Sequence, residues 1–190
     1  MDPFITTFTG KKVNPLDLKI DDICVEDIAH HLSCINRFVG ALKKPVSVAQ
    51  HSVYVSRILQ GTGMEAWGLF HDASEAYLGD VSKWVKQTPT MASYREAEIK
   101  AENVIFIALR IKRIEDDSLL KEADNLMVRY EASEMLSEPR HLLSLPSHPP
   151  VTKEEAARVR PWTPWPWYRA KVRFIEHARL LGYHVPPTLY

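Results

Sequence analysis

MEAWGLFHDASEAYLGD, residues 64–80, is the stretch of sequence that decides the fold. Its apolar residues recur at the three- and four-residue spacing that lines one face of an α-helix. Gly79 is typical of the position just after a helix end, because glycine readily adopts a positive φ. The stretch therefore predicts a helix over 64–78 that buries one face against the rest of the chain.

The same stretch carries an unusual group of polar residues. His71 and Asp72 lie four and three residues before Glu75, a spacing that places all three on one side of a helix. Burying such a group without compensation would cost several kcal/mol. A structural salt-bridge cluster is one alternative, but no Lys or Arg lies between Arg57 and Lys83 to neutralise the carboxylates locally. A cation from outside the chain is the simpler explanation.

Helical patterns continue on both sides of this stretch. A predicted helix from Val25 ends at Gly40, and Ser47 with Gln50 forms a capping-box signature that opens the next helix, which carries His51. Further predictions are helices over 93–111 and 117–136, the latter containing Asp124, a long loop over 137–161, and a last helix that opens at Thr163 and Pro164 and ends at Gly182. Residues 1–22 predict an extended arm or a short strand pair. No β-alternation of useful length is present, so the predicted fold class is all-α.

Composition restricts the classes of function. The 190 residues fit a single domain, 1–190, and the 24 Lys and Arg balance the 24 Asp and Glu. A balanced charge argues against a nucleic-acid polymer or a membrane surface as partner. No apolar run approaches a membrane span, and residues 1–12 lack the apolar core of a signal peptide. Cys24 and Cys34 lack metal-knuckle spacing and are expected to be reduced, buried thiols of a cytoplasmic protein.

Four residues on the predicted helices suit a metal ion. His51, His71, Asp72 and Asp124 would supply two imidazoles and two carboxylates, a set that favours Mn, Co, Fe or Zn. Taken alone, a His-Asp pair is a weak signal, because a lone buried histidine is usually a hydrogen-bonded core residue. A divalent ion with open positions could lower the pKa of a coordinated water and neutralise charge on phosphoryl oxygens. The sequence thus predicts a metal site with hydrolytic potential.

The sequence around these residues resembles that of the HD-domain metal-dependent phosphohydrolases, an all-helical family. The matching elements are INRF at 35–38, VAQHS at 48–52, HDASEAYLGDV at 71–81 and EADN at 122–125. They are similar to the branch that contains the bacterial 5'-deoxyribonucleotidases and the phage dATP triphosphohydrolases. Two longer segments, CVEDIAHHLSCINRFVG at 24–40 and PVSVAQHSVYVSRI at 45–58, look closest to the phage-type enzymes. These include the enzymes that remove dATP in phages whose DNA carries diaminopurine. The resemblance covers roughly residues 5–135 and implies an HD-domain helical bundle.

The resemblance implies a role for each matching residue. It makes His51, His71, Asp72 and Asp124 the metal ligands, for Zn, Co or Mn, and Glu75 the catalytic carboxylate. Asp80 matches a second acidic position that positions water or, with Glu75, holds a second divalent ion on the phosphates; the alternative is a solvated residue after a helix end. Arg37 matches a phosphate clamp, and the alternative is a surface arginine.

The remaining implied substrate contacts are Phe38, Lys83 and Lys86. Phe38 stands where related nucleotidases often carry tryptophan and could pack on the sugar or base, or belong to the core. Lys83 and Lys86 could meet the phosphate tail, Lys86 matching the family position better, or be solvated. Six histidines without carboxylate partners at metal spacing are assigned to surface or loop roles: His30, His31, His141, His148, His177 and His184. The run PWTPWPWY at 161–168 favours a hydrophobic lid over the core or a subunit contact.

The resemblance implies hydrolysis of a deoxynucleotide, with dATP cleaved to deoxyadenosine and triphosphate as the first choice. A 5'-deoxyribonucleotidase acting on dNMPs is the alternative with the same site. A non-catalytic nucleotide-binding HD module is a second alternative, although every ligand and the catalytic carboxylate are present in the sequence. A structural scaffold would keep its function when His71 and Asp72 are replaced by Ala. The resemblance also implies a homo-oligomer, a dimer or a hexamer, in the cytoplasm, the host's if the chain is phage-encoded.

Overall fold

The computed structural model describes residues 3–112 and 114–185, and these are mostly helical. Strand β1 (Ile5–Thr6) pairs antiparallel with β2 (Lys12–Val13), as the predicted strand pair in the N-terminal arm requires. The α-helices of the described residues are α1 (Val25–Cys34), α2 (Val48–Ile58), α3 (Glu65–Phe70), α4 (Glu75–Leu78), α5 (Lys83–Lys86), α6 (Ala92–Ala108), α7 (Ser118–Met135), α8 (Arg140–Leu143), α9 (Lys153–Val159) and α10 (Trp167–Leu180). Short 3₁₀ turns occupy Ile20–Asp22, Arg37–Gly40 and Pro89–Met91. The predicted all-α class is confirmed.

Helix α2 lies at the centre of the bundle, with α1, α3, α7 and α10 packed around it. Residues 48–56 are all buried, including polar ones, so their side chains need partners inside the protein. Ser52 donates to the carbonyl of Val48 at 3.0 Å, and Ser56 donates to the carbonyl of Glu65 at 2.6 Å. Helix α2 is therefore a fully enclosed helix whose polar groups tie it to its neighbours.

The start of α2 agrees with the prediction from the sequence, but the Gln50 side chain does not bond back to the start of the helix as in a capping box. Ser47 accepts a hydrogen bond from the backbone N–H of Gln50 at 3.2 Å, which confirms the predicted cap. The Gln50 amide donates to the carbonyl of Thr163 at 2.9 Å and accepts from the N–H of Trp165 at 2.7 Å. Because these contacts hold the backbone of residues 163–165 along α2, the prediction that the last helix opens at Thr163 is wrong. Helix α10 begins at Trp167.

The helix predicted over 64–78 is two helices separated by a tight turn. The N–H of Ala73 donates to the carbonyl of Phe70, and the N–H of Glu75 donates to that of Asp72, each at 3.0 Å. These hydrogen bonds join residues i and i+3, whereas those of an α-helix join i and i+4, so the chain makes a tighter 3₁₀-type turn between α3 and α4. The prediction of one continuous helix is wrong, whereas Gly79 ends α4 as expected, with φ at 82°.

Three further sequence predictions need correction. Helix α1 ends at Cys34 and not at Gly40, because the chain turns into the 3₁₀ segment. The predicted loop over 137–161 contains α8 and α9, and α9 begins with a capping box between Thr152 and Glu155. The two cysteines are free as expected, but neither is buried, because Cys24 is partly exposed and Cys34 is exposed.

The core runs through the whole bundle and includes part of the Trp- and Pro-rich segment. Trp165 is buried and its ring lies 5.4 Å from that of Tyr54 on α2, whereas Trp167 is exposed. The segment thus covers the core at Trp165, as one of its two predicted roles requires. Among residues 3–112 and 114–185, no helix is both long and apolar enough to cross a membrane.

Candidate metal and substrate site

One cavity of about 510 Å³ gathers the residues singled out in the sequence. Its lining includes eight of them: Arg37, Phe38, Asp72, Glu75, Asp80, Lys83, Lys86 and Asp124. The other two, His51 and His71, lie directly against the lining carboxylates of Asp72 and Asp124. The structure therefore brings all ten together, from α2, α5, α7, the 3₁₀ turn after α1, and the region around α4.

His51, His71 and Asp72 form a group that could hold a metal ion. One ligand atom from each lies within 4.8 Å of the others. Asp124 adds a fourth donor, because its Oδ1 lies 3.0 Å from Nε2 of His51 and 3.9 Å from Nε2 of His71. Neighbouring donors on an ion with bonds of about 2.0–2.2 Å are roughly 3–3.5 Å apart, so the 3.0 Å spacing matches a shared cation and the 3.9 Å spacing would have to shorten on binding.

The fold fixes His71 with one ring nitrogen turned into the cluster. Its Nδ1 lies 2.9 Å from the carbonyl of Gly68, one turn earlier in α3, which requires Nδ1 to carry the proton. Nε2 lies 3.2 Å from Oδ2 of Asp72 but has no partner with hydrogen-bond geometry among the described residues. A buried ring nitrogen with this orientation and without a hydrogen-bond partner is a feature that a metal ion would satisfy once the nitrogen has lost its proton.

His51 is fully buried between two carboxylates. Its Nε2 faces Asp124, and its Nδ1 lies 3.1 Å from Oε1 of Glu131, a residue that is also fully buried. Asp124 and Glu131 are seven residues apart on α7 and therefore face the same side of the helix. Helix α7 thus holds the imidazole from two sides.

The electrostatics of the cluster favour added positive charge. Burial opposes protonation of His71, but the adjacent Asp72 outweighs it and raises the pKa of His71 to about 9. The pKa of His51 is also raised, against burial and the nearby Arg37, by the carboxylates of Glu131 and Asp124. The two imidazoles therefore attract protons where a divalent cation would bind, and the N and O donors suit Mn, Co, Fe or Zn.

Arg37 lies beside the cluster and is held by Glu131. Its Nε donates to Oε2 of Glu131 at 3.1 Å, and its Nη1 lies 3.9 Å from Oδ2 of Asp72. Burial alone would lower the pKa of Arg37, but Glu131 and Asp72 raise it, so the guanidinium stays charged. The explanation by a cation from outside the chain is therefore incomplete, because Arg37 reaches the carboxylates from a distant segment.

Glu75 and Lys86 form a second charged group on the cavity wall. Nζ of Lys86 lies 3.6 Å from Oε1 of Glu75 and 2.8 Å from Oε1 of Glu98 on α6. Oε2 of Glu75 is buried and has no hydrogen-bond partner among the described residues. Burial, reinforced by Asp72 and Asp80, raises the pKa of Glu75 to about 9. The carboxyl group is thus able to hold a proton near neutral pH.

The remaining predicted contacts lie around the cavity with different degrees of exposure. Asp80 is half-buried just after Gly79, and Lys83 is exposed on α5. Phe38 is half-buried, and its ring lies 5.7 Å from the guanidinium carbon of Arg37. These positions are compatible with the roles that the resemblance implies.

The structure adds residues that the sequence argument missed. Glu131 is the most important, and its seven-residue spacing from Asp124 on a predicted helix was the available signal. His148 lies in a loop, as expected, but its side chain is buried in the cavity wall, which corrects its assignment to a surface role. His177 is partly buried on α10, 2.9 Å from the Ser56 hydroxyl. Lining residues without a predicted role are Val81, Ser82, Trp84, Lys121, Asn125, Val128 and Leu142.

Two bacterial proteins are similar to this chain. The uncharacterized protein YfdR of Escherichia coli is 42% identical over 103 residues, which are 54% of this chain and 56% of the relative's length. The chain therefore matches little more than half of that protein. An uncharacterized protein of Rhodobacter capsulatus is 28% identical over 173 residues, 80% of this chain and 85% of the relative. No known family model matches the chain.

Proposed function

We propose that this protein is a divalent-metal-dependent phosphohydrolase of the HD-domain type that acts on a small deoxynucleotide. The substrate proposed first is dATP, cleaved to deoxyadenosine and triphosphate. The observation that carries the proposal is the convergence of His51, His71, Asp72 and Asp124 at a cavity of about 510 Å³ whose walls carry basic side chains beside the carboxylates. Cavities of about 300–1,000 Å³ typically hold small-molecule ligands.

The donor set gives the metal part of the proposal. His51, His71, Asp72 and Asp124 would hold the ion, and the unpartnered Nε2 of His71 supports this fit. When bound, a divalent ion supplies Lewis acidity that neutralises charge on phosphoryl oxygens and makes water more acidic. The other functions fall to side chains of the chain itself.

The basic residues of the cavity support a substrate with several phosphate groups. Within the described part of the chain, the Lys and Arg side chains that line the cavity are Arg37, Lys83, Lys86 and Lys121. A triphosphate carries more negative charge than a monophosphate and can engage more of these cations at once. Arg37 lies closest to the metal ligands of the four by its 3.9 Å approach to Asp72, and its planar guanidinium suits bidentate contact with a phosphate. The charge distribution is the reason to place dATP before dNMPs.

The apolar part of the lining provides a place for the nucleoside. Phe38, Val81, Trp84, Val128 and Leu142 lie in the same cavity as the basic residues. Aromatic and aliphatic side chains bind a base and sugar through stacking and burial of apolar surface. A substrate with one charged end and one flat apolar end is therefore compatible with the walls of the cavity.

Glu75 is the proposed proton carrier. It lies three residues after the metal-ligand pair, and its Oε2 has no other partner in the described structure. With its pKa raised to about 9, this carboxyl group holds a proton at neutral pH in metal-free protein, and a bound cation would favour its ionised form, which can accept a proton from water and return it to a leaving oxygen. The ammonium group of Lys86 lies 3.6 Å from Oε1 of Glu75 and stabilises the ionised form of this carboxylate.

A phosphate-release assay tests the proposal. Protein loaded with Mn, Co, Zn or Mg is incubated with each dNTP, rNTP and dNMP, and the products are separated by chromatography. The variants are His71→Ala and Glu75→Gln, with matched controls His141→Ala and Glu134→Gln, which change exposed residues of the same types. We expect tripolyphosphate and deoxyadenosine from dATP, loss of metal binding in His71→Ala, and loss of turnover with retained metal in Glu75→Gln.

Other outcomes separate the alternatives. Orthophosphate released from dNMPs alone would replace the first choice with a 5'-deoxyribonucleotidase. Tight nucleotide binding without turnover under any metal would favour a non-catalytic binding module. Full function of His71→Ala would contradict a role for the metal cluster.

A further inference from the structure

Glu131 stands apart from the other acidic residues of the site because it has no access to solvent. Its side chain is fully buried on α7, and it is not among the residues that line the cavity. It accepts from Nε of Arg37 through Oε2 and lies 3.1 Å from Nδ1 of His51 through Oε1. A carboxylate buried to this degree is costly unless its partners are charged or strongly polarised, and here both oxygens are used.

These two contacts join parts of the site that have different proposed tasks. His51 belongs to the metal cluster, whereas Arg37 faces the phosphate region. With Nδ1 of His51 protonated towards Glu131, the lone pair of Nε2 is directed at the space shared with Asp124 and His71. With Nε of Arg37 held by the same carboxylate, the far end of the guanidinium, including Nη1, is directed towards Asp72.

We propose that Glu131 is the positioning residue that orients His51 for metal binding and Arg37 for phosphate binding through its two carboxylate oxygens. The inference rests on the proposed function for its phosphate half, while its metal half depends only on the cluster. Neither substrate nor metal touches Glu131, so it acts through the other two residues. Metal affinity and phosphate binding are consequently coupled through one buried side chain.

The chemistry of the two contacts specifies the informative substitution. Both partners are N–H donors, so the residue between them must present two acceptor oxygens. In Glu131→Gln one oxygen is replaced by an NH₂ group, which has the same shape but is itself a donor. One of the two contacts must then be lost, and the other is weakened because the remaining oxygen carries no charge, although the packing volume is unchanged. Glu131→Asp keeps both oxygens but shortens the reach by one methylene, so it should restore part of each contact.

The first measurement is metal affinity by isothermal titration calorimetry, with Zn, Co and Mn as probes. Removal of a residue that orients a metal-ligating histidine typically lowers metal affinity about 10- to 100-fold. We expect a loss in this range for Glu131→Gln and a smaller loss for Glu131→Asp. Glu134→Gln is the matched control, because it removes the same charge from an exposed position on α7. Circular dichroism establishes that each variant is folded.

The second measurement separates the two halves of the proposal. At saturating metal, Glu131→Gln is expected to raise KM for the nucleotide by more than it lowers kcat, and the same is expected of Arg37→Met. Unchanged metal affinity in folded Glu131→Gln would overturn the proposal, and so would an effect on metal with none on KM. If wild-type protein turns over no nucleotide, the proposed function fails, while calorimetry still decides the metal half.

A measurement on the wild-type protein covers the case in which the variants do not fold. Nitrogen-15 NMR of labelled imidazoles in Zn-loaded protein reports which ring nitrogen of His51 carries the proton. A protonated Nδ1 with Zn-bound Nε2 agrees with the proposal. A protonated Nε2 would contradict it, since Glu131 would then have no proton to accept.

Discussion

The two residues that follow Arg37 adopt a backbone conformation that usually requires glycine. Phe38 and Val39 both have φ at 54°, in the left-handed region, and Val39 is 74% exposed. This conformation costs an L-residue roughly 1–2 kcal/mol, and a β-branched side chain is especially unfavourable there. The 3₁₀ turn that places Arg37 at the cavity is therefore strained. At Val39 burial of the side chain does little to offset this strain, because the side chain is mostly exposed.

Replacing Val39 by glycine should relieve this strain. We expect Val39→Gly to raise the free energy of unfolding by up to about 1 kcal/mol, because the strain relieved exceeds the extra unfolded-state entropy of glycine. Gly40→Ala, at φ of 78°, is the matched opposite change and should lower stability by a similar amount. Urea denaturation measures both, and a destabilised Val39→Gly would show that the valine side chain makes a contribution that its exposure hides.

At the scale of single residues, sequence reasoning identified the polar side chains that the fold brings to one cavity, but it did not identify Glu131, which contacts two of them from the protein interior. His71, Asp72 and Glu75 were identifiable because polar residues clustered on an apolar segment. Glu131 gives no comparable local signal, since its partners Arg37 and His51 are far away in the chain. Its burial results from tertiary packing, which a one-dimensional pattern reports only through helical spacing.

At the scale of helices, the contact between α2 and α3 determines how close the two histidines lie. Gly68 is the point of closest approach, because a Cβ built there would lie 2.7 Å from the Cα of Ser56. Its carbonyl also fixes Nδ1 of His71. The absence of a side chain at Gly68 therefore allows α3 to bring His71 within a ring-centroid distance of 5.4 Å from His51.

Gly68→Ala should separate the two helices. The added methyl meets backbone that cannot move freely, so we expect a loss of about 1–3 kcal/mol in unfolding free energy together with weaker Zn binding. Ala66→Ser on the same helix, at a partly exposed position, adds a similar volume and should change neither. Thermal unfolding and calorimetric titration provide the two readouts; retained Zn affinity in Gly68→Ala would mean that the histidines adjust independently of the helix spacing.

Gln50 joins α2 to the segment before α10. Replacing Gln50 by Ala leaves the buried N–H of Trp165 and the carbonyl of Thr163 without their partner. Each unsatisfied buried group costs about 1–3 kcal/mol, so the variant should lose about 2–6 kcal/mol of stability. Gln60→Ala, at an exposed position just after α2, is the control. A denaturation midpoint equal to that of the control would indicate that water replaces both hydrogen bonds.

The helices themselves were largely predictable, and their boundaries were less so. The long patterns that became α6 and α7 were identified within a few residues, because periodicity over many residues averages out local exceptions. The break between α3 and α4 was not predicted, since the apolar spacing continues through it. The turn instead depends on backbone hydrogen bonds of residues 71–74 that leave no mark on hydropathy.

At the scale of the whole molecule, the formal charges cancel, yet acidic groups are concentrated around one cavity. In the metal-free protein, protonation relieves this concentration. The folded state holds protons on His71 and Glu75 up to about pH 9, whereas the ordinary pKa values of these groups are 6.5 and 4.5. Between each pair of values the folded state binds more protons than the unfolded state, so stability falls as the pH rises.

Metal-free protein should therefore lose stability between about pH 6.5 and about pH 8.5, by about 4 kcal/mol or on the order of 10 °C in Tm. The difference in Tm between metal-loaded and metal-free protein should grow as the pH rises, because ligands that lose protons bind a cation more tightly. Scanning calorimetry with and without chelator tests this expectation. His71→Ala should reduce the slope of the metal-free curve without abolishing it, because Glu75 still titrates, and His141→Ala should leave the slope unchanged. A constant difference between the loaded and metal-free Tm values would rule out proton–metal competition.

The four donors come from α2, the turn after α3, and α7, segments that are far apart along the chain. An ion held by all of them would act as a reversible cross-link that joins the first half of the protein to the second. Such a link restricts an opened chain far more than it restricts the native one, and the effect grows with the length of the loops it closes. Availability of the metal would then set the lifetime of the protein against proteases as well as its chemistry.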